Sequence, residues 1–312
     1  MKTFASKLVS IAPLKSTPFP VSPTLRGIVP PLITPLLDHD SLDVAGLERL
    51  IEHILAGGVH GLFILGTSGE APALSYRLRR EVIQRVCGQV ASRVPVLVGI
   101  TDTALVEAVA LAQHAAAAGA QAVVTAAPYY LPFSQDELAQ FIEQLTEELP
   151  LPLFLYNYPQ LTKVWFEPAI LRRLAQIEHI IGIKDSSGDL DYFDSLLTLK
   201  KERPDWAVLV GPEHLLLETL RRGGDGGVNG SANFHPRLLT DLFKAVEQAD
   251  QNQAEGLRLK LLTLGEIYHL SKDATAVIRA RKCACSVLGL CENRFPEPIT
   301  AYGARESGRI RE

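Results

Sequence analysis

From Gly27 onward, short β-branched runs alternate eight times with longer helical patterns, and no other feature of the chain restricts its fold as tightly. The strand candidates are Gly27 to Thr34, Gly61 to Gly66, Val94 to Ile100, Ala122 to Ala127, Leu151 to Tyr156, Ile180 to Lys184, Trp206 to Val210, and Gly226 to Asn229. Between them lie helix candidates at Asp43 to Ala56, Tyr76 to Ser92, Ala104 to Ala118, Gln135 to Glu148, Glu167 to Ala175, Tyr192 to Lys201, and His214 to Arg222. Gly57-Gly58, Gly119 and Gly223-Gly224 stand where a left-handed residue ends a helix before the next strand begins. The strand runs are apolar without alternation, as expected of parallel strands covered on both faces. Repeated units of this kind match an α/β fold, a closed (β/α)8 TIM barrel, better than an open sheet. Further helical patterns follow at Leu238 to Gln248, Ala254 to Leu270 and Ala274 to Leu288; the first completes the barrel and the others form a C-terminal helical extension. The expected division is an amino-terminal arm over 1–24, a catalytic barrel over 25–249, and the helical extension over 250–312.

Bulk properties narrow the function classes. A chain of 312 residues that is 47% hydrophobic can bury a large core, and a formal net charge of -4 with no basic face argues against nucleic acid as a partner. No apolar run reaches the roughly 20 residues that a membrane helix needs. Four cysteines without an even spacing pattern fit a reducing, cytoplasmic compartment. Cys283, Cys285 and Cys291 share an apolar stretch, but no histidine follows at ligand spacing, so no metal site is expected there. Before Pro23, Lys2 and Lys7 accompany short apolar runs broken by Pro13, Pro18 and Pro20, which reads as a loose arm rather than a secretory signal.

In such a barrel the working residues lie at the carboxyl ends of the strands. The sixth run ends on Lys184, within Ile180-Ile181-Gly182-Ile183-Lys184-Asp185-Ser186-Ser187. A walled-in lysine falls from its reference pKa of about 10.4 and offers a free amine that attacks carbonyls. The same residue also reads as a strand-end lysine whose stem packs on the sheet while its head reaches water. After the second run, Gly66-Thr67-Ser68-Gly69-Glu70 lets amides and two hydroxyls converge on an anion such as a small keto-acid carboxylate, or simply caps the following helix. Tyr156, one unit before Lys184, either packs as an amphipathic strand end or, hydrogen-bonded to Thr67, relays protons near an imine. Tyr129 and Tyr130 precede Leu131-Pro132 and form an exposed aromatic rim or a contact with a neighbouring subunit. Gly211 and Glu213 after the seventh run, with Asn229 and Gly230 at the end of the eighth, complete the candidate substrate-binding set. Glu213 is placed to hydrogen-bond a polyhydroxylated substrate, and His214 to start the next helix.

With these motifs in hand, the chain resembles the dihydrodipicolinate synthase and N-acetylneuraminate lyase family of Schiff-base (β/α)8 enzymes, over Leu25 to about Ile299. Gly66-Thr67-Ser68-Gly69-Glu70, Tyr156-Asn157-Tyr158-Pro159 and Gly182-Ile183-Lys184-Asp185-Ser186-Ser187-Gly188-Asp189 occur in the family's order and spacing. The resemblance implies that Lys184 forms an imine with pyruvate or the pyruvoyl part of a larger 2-keto acid, and that Thr67 and Ser68 hold its carboxylate. It further implies that Tyr156 shuttles protons, with Tyr130 contributed across a subunit contact in a homotetramer built as a dimer of dimers. No metal or diffusible cofactor is expected. Dihydrodipicolinate synthases continue their Tyr-Asn-X-Pro motif into Ser-Arg-Thr-Gly, whose arginine clamps the carboxylate of aspartate semialdehyde. This chain reads Gln160-Leu161-Thr162-Lys163, and Leu161 cannot form that clamp. The Tyr-Asn-Tyr-Pro wording is similar to that of 2-keto-3-deoxy sugar acid aldolases. The expected activity is therefore a class I lyase that joins or splits pyruvate and an aldehyde on a 2-keto-3-deoxy sugar acid type of substrate. The alternatives are 4-hydroxy-tetrahydrodipicolinate synthase, a 2-keto-3-deoxy acid dehydratase working through the same imine, and, outside the enzymes, a keto-acid binding or regulatory protein.

Overall fold

The computed structural model describes residues 25–312; the expected arm over 1–24 lies outside the described residues. Eight parallel strands form one sheet: β1 (Gly27–Ile28), β2 (Leu62–Ile64), β3 (Val96–Gly99), β4 (Ala122–Ala126), β5 (Leu153–Asn157), β6 (Ile180–Asp185), β7 (Ala207–Val210) and β8 (Gly226–Gly227). The helices between and after them are α1 (Val44–Ala56), α2 (Tyr76–Val90), α3 (Leu105–Ala117), α4 (Gln135–Glu148), α5 (Pro159–Thr162), α6 (Pro168–Leu174), α7 (Leu190–Glu202), α8 (Leu216–Arg222), α9 (Pro236–Glu247), α10 (Gln251–Gly265), α11 (Ala276–Val287) and α12 (Ala304–Arg311).

Strand order runs β1-β8-β7-β6-β5-β4-β3-β2, and a parallel bridge between Pro31 and Phe63 brings the first strand back against the second. The Leu32 amide donates to the Phe63 carbonyl at 2.8 Å and the Phe63 amide to the Pro30 carbonyl at 2.9 Å, so the ring of strands closes. Pro30 and Pro31 have no N–H to give to a ladder, which is why β1 is much shorter than the run Gly27 to Thr34.

Pleat alternation divides the apolar side chains between two cores. Phe63, Leu97, Val124, Phe154 and Leu209 fill the inside of the barrel. Val98, Val123, Leu155, Val208 and Val210 face the surrounding helices, where they meet residues such as Leu47, Ile83 and Leu196. Each fully buried aliphatic or aromatic side chain of this kind contributes roughly 1.5–3 kcal/mol. Gly182 on β6 is needed for this packing, because a Cβ there would stand 2.4 Å from the Ala207 carbonyl oxygen and 2.6 Å from the Phe154 ring.

Local signals set the helix ends. Asp43, Ser75, Asp189 and Asp250 accept backbone amides as N-caps, and Ser134 with Glu137 forms a capping box at the start of α4. Gly58, Gly119 and Gly223 take positive φ just past α1, α3 and α8, as their placement in the sequence anticipates. Two helices were not anticipated. The four-residue α5 follows β5 directly, and α12, Ala-Arg-Glu-Ser-Gly-Arg-Ile-Arg, has almost no apolar periodicity to read. It is held on α11 by Ile310 and by a Cys283 Sγ to Ser307 Oγ contact of 3.3 Å. The pattern Ala254 to Leu270 splits into α10 and a 3-10 turn over Glu266–His269. Among the described residues no helix is long and apolar enough to cross a membrane, and no cluster of three or more His, Cys, Asp or Glu side chains is spaced to hold a metal.

Candidate active site

Strands β5 and β6 pair in a register that sets Tyr156 opposite Lys184 and Asn157 opposite Asp185. The first pair projects into the barrel at its carboxyl end. The second faces outward, where Asn157 Nδ2 donates to Asp185 Oδ1 at 2.8 Å and Asn157 Oδ1 accepts from the Phe166 amide at 3.1 Å. The Ser187 hydroxyl also donates to Asp185, at 2.8 Å. These outer bonds fix the strand ends, and so fix the direction in which the inner pair points.

Lys184 is 5% exposed and its immediate surroundings are aromatic. Its Nζ lies 4.0 Å from the centre of the Tyr156 ring and 5.2 Å from that of Phe63. Burial, reinforced by the charge of Arg281 and only partly opposed by Asp185, holds its pKa well below that of an ordinary lysine. The amine is therefore biased toward its uncharged, nucleophilic form. Burial acts oppositely on Tyr156: it raises the phenol above its usual range, against the lowering effect of the Thr67 hydrogen bond, so the hydroxyl keeps its proton. That hydroxyl and Thr67 Oγ1 are 3.2 Å apart. A protonated phenol beside a free amine can pass a proton to an oxygen attached to the carbon that the amine attacks.

The turn after β2 carries Thr67 and Ser68 to the same mouth. Gly66 packs flat on Phe63, where a Cβ would come within 2.6 Å of the ring, and Glu70 closes the turn at φ 60. Lys184, Tyr156, Thr67 and Ser68 are thus brought together. Tyr130 is not part of that group within one chain: it is 92% exposed and takes φ 84 at the tip of the loop after β4.

The remaining candidates ring the mouth from β7 and β8. Gly211 lies against Ser186, whose Oγ a Cβ would meet at 2.0 Å. Asn229 gives its side-chain amide to the Gly211 carbonyl at 3.0 Å and so ties the two strand ends together. Glu213 spends Oε2 on the Ser231 amide at 2.9 Å and the Ser231 hydroxyl at 2.7 Å, while Oε1 stays sealed and without a hydrogen bond. His214 begins a short 3-10 turn that leads into α8, consistent with its expected place at a helix start.

Sequence reasoning missed the contribution of α11. Arg281 reaches from this helix to the turn after β2, where its Nη1 donates to Ser68 Oγ at 2.7 Å. Next to it, the fully buried Lys282 pairs with Glu70, Nζ to Oε1 at 2.6 Å and Oε2 at 2.8 Å, and also donates to the Arg294 carbonyl at 2.7 Å. The available signal was the run Arg279-Ala280-Arg281-Lys282 inside a helix otherwise rich in Ala, Val and Cys. Adjacent cations there require partners.

Fold and site together define a class, that of (β/α)8 lyases and aldolases working through a lysine. A family model described as the dihydrodipicolinate synthetase family matches residues 24–310, and the chain belongs to that family. It is a class I, pyruvate-dependent lyase or aldolase. The chain is similar to a solved structure of dihydrodipicolinate synthase from Bacteroides thetaiotaomicron, with 47% identity, a TM-score of 0.90, and coverage of 93% of this chain and 98% of that one. It is 36% identical over 268 residues to YagE of Escherichia coli (strain K12), a putative 2-dehydro-3-deoxy-D-gluconate aldolase, covering 85% of this chain and 89% of the relative. The structure of YagE in complex with pyruvate superposes with a TM-score of 0.88 at 33% identity, covering 92% of this chain and 96% of that one. YjhH of the same strain, a probable 2-dehydro-3-deoxy-D-pentonate aldolase, is 36% identical over 81% of this chain and 85% of its own.

Proposed function

We propose that Lys184 is the imine-forming residue of an aldolase that splits a 2-keto-3-deoxy sugar acid into pyruvate and an aldehyde, or runs the reverse condensation. The observation that carries this reading is the buried amine set in register beside a protonated phenol that is itself bonded to Thr67. The uncharged Nζ attacks C2 of the keto acid, and the carbonyl electron pair moves to oxygen. One proton passes from nitrogen to that oxygen and Tyr156 supplies a second, so the oxygen departs as water and leaves a protonated imine. The deprotonated Tyr156 then takes the proton of the C4 hydroxyl. As the C3–C4 bond breaks, its electron pair flows into the imine, and the aldehyde leaves. Protonation of the resulting enamine at C3 and hydrolysis of the imine release pyruvate and restore the amine. Thr67 and Ser68 hold the keto-acid carboxylate.

Substrate choice rests on Leu161, which is exposed on α5 and offers no charge to an acidic aldehyde, and on the likeness to YagE and YjhH. The 47% identity to the Bacteroides protein favours a second reading, 4-hydroxy-tetrahydrodipicolinate synthase. Incubation with pyruvate and aspartate semialdehyde separates the two: slow turnover is expected, and efficient synthesis would overturn the assignment. Borohydride reduction in the presence of pyruvate tests the chemistry itself. A stable adduct located on Lys184 by peptide mass spectrometry is expected, and its absence from folded protein sinks the mechanism.

The exposed Tyr130 and Leu131 are assigned to a contact between subunits, with Tyr130 reaching the Tyr156 and Thr67 pair of a partner in a homotetramer. The four free, buried cysteines support a cytoplasmic location.

A further inference from the structure

Arg281 stands where no strand-end motif would put a cation. It belongs to α11, yet its guanidinium extends over the mouth to within hydrogen-bond distance of Ser68. Two features of the chain make that reach possible. Gly230 has no side chain to obstruct it, since a Cβ there would lie 1.8 Å from Arg281 Nε. The adjacent Lys282 is locked to Glu70, two residues beyond Ser68, so α11 is held in one register against the hydroxyl turn. Behind the guanidinium lie the Tyr268 ring, 5.2 Å from its central carbon, and the carboxylate of Glu213. Burial works against its charge, but Tyr268 and Glu213 outweigh this and keep Arg281 firmly protonated.

The hydrogen-bond chemistry at Ser68 then has a direction. Ser68 Oγ accepts from Arg281, so its own proton is free to be donated to another group. No carboxylate among the described residues forms an ion pair with Arg281, and the one nearby, Glu213, has turned Oε2 toward Ser231. A fixed cation and a donor hydroxyl, side by side at the mouth that holds Lys184, form a site complementary to a carboxylate.

We propose that Arg281 is the carboxylate-binding and selectivity residue of this active site: together with Ser68 it holds the C1 carboxylate of the keto acid whose C2 carbonyl Lys184 attacks. The proposal rests on the reading of Lys184 as the imine-forming amine. It makes the C-terminal helical extension part of substrate recognition rather than a support for the barrel. Because the clamp sits at the carboxylate common to every 2-keto acid, it selects keto acids over neutral ketones and esters and leaves the aldehyde end free.

The test compares two carbonyl probes, pyruvate and its uncharged ester methyl pyruvate, by the concentration at which each half-saturates borohydride trapping. Wild-type protein is expected to favour pyruvate. Arg281→Met is expected to weaken pyruvate by about 10- to 100-fold relative to methyl pyruvate, the range of one charge-assisted interaction, because the loss of the Arg281 charge near Lys184 acts on both probes alike and cancels from the ratio. Arg281→Lys restores part of the preference as a point charge. Gly230→Ala supplies an independent route if Arg281→Met fails to fold, because it displaces the guanidinium without removing it, and the same selective loss of pyruvate is expected. Equal weakening of both probes, or unchanged pyruvate saturation, in whichever of these variants folds overturns the proposal. Absence of trapping in wild-type protein would instead defeat the reading of Lys184, so the two failures are distinguishable.

Discussion

Among the described residues two lysines are buried, and their surroundings differ in one respect that decides what each does. Lys184, at the end of β6, faces aromatic rings with its Nζ 4.0 Å from the Tyr156 centroid. Lys282, on α11, faces a carboxylate with its Nζ 2.6 Å from Glu70. Burial lowers both pKa values, but for Lys282 the charge and hydrogen bond of Glu70 oppose the effect, whereas for Lys184 the next contribution, Arg281, adds to it. Desolvation without a counter-ion makes a nucleophile; desolvation with one makes a strut. The strut stands on the turn that carries Thr67 and Ser68, so the second lysine holds in place part of the site that the first one uses.

Removing each amine breaks the comparison most directly. Lys184→Met deletes the attacking nitrogen, and aldol cleavage is expected to fall by at least about three orders of magnitude, with no borohydride adduct. The fold should gain rather than lose stability, by roughly 1–3 kcal/mol, because a thioether needs no solvation in an apolar pocket. A steady-state assay with a thermal melt on the same sample checks both halves. An inactive variant that melts below wild type would contradict the claim that the amine is held there at a cost to stability.

Lys282→Met should behave in the opposite way. It strands Glu70 as a buried, uncompensated carboxylate, and breaking one partner of such a pair typically costs about 3–5 kcal/mol. Glu70 already sits high, with burial, opposed by Lys282, placing its pKa at about 7, so the variant is expected to relieve itself by binding a proton. The sharper experiment is the double variant Glu70→Leu with Lys282→Met. Replacing both charges with apolar groups should recover most of the lost melting temperature. If the double variant were as unstable as the sum of the singles, the pair would not be the isolated unit described here.

The same contrast explains what could be read from the chain. Strands β2 to β7 were legible because each is an uninterrupted apolar run between turn residues, and the first was overextended only because Pro30 and Pro31 cannot carry a ladder. Lys184, Tyr156 and Thr67 were legible because each ends or follows a strand, and the barrel collects strand ends at one mouth. Arg281 was not, because it meets Ser68 across 213 positions of sequence and belongs to a helix whose pattern reveals only an apolar face. Helical periodicity says which side of α11 is buried. It does not say that Gly230 leaves room for one of its side chains to cross the mouth.

The smallest effect expected is the pH dependence of stability that separates Lys184 from its methionine replacement. In the unfolded chain the amine binds its proton up to a pH of about 10.4, whereas in the folded protein it releases it at lower pH. Between those two values the unfolded state holds one proton more, so folding becomes more favourable as pH rises. Below the folded value both states are protonated, and the full desolvation penalty remains at a constant level. The methionine variant lacks this term. Its stability advantage over wild type should therefore shrink with rising pH through the window below about 10.4, at no more than about 1.4 kcal/mol per pH unit. Glu70, whose raised pKa gives the opposite slope between 4.5 and about 7, is present in both proteins and cancels from the difference. Melting curves of the two proteins near pH 7 and near pH 9, the second chosen to lie below the reference lysine value, read the effect. A constant gap between the two curves would mean that the amine titrates in the fold as it does in water, and the contrast with Lys282 would lose its physical basis.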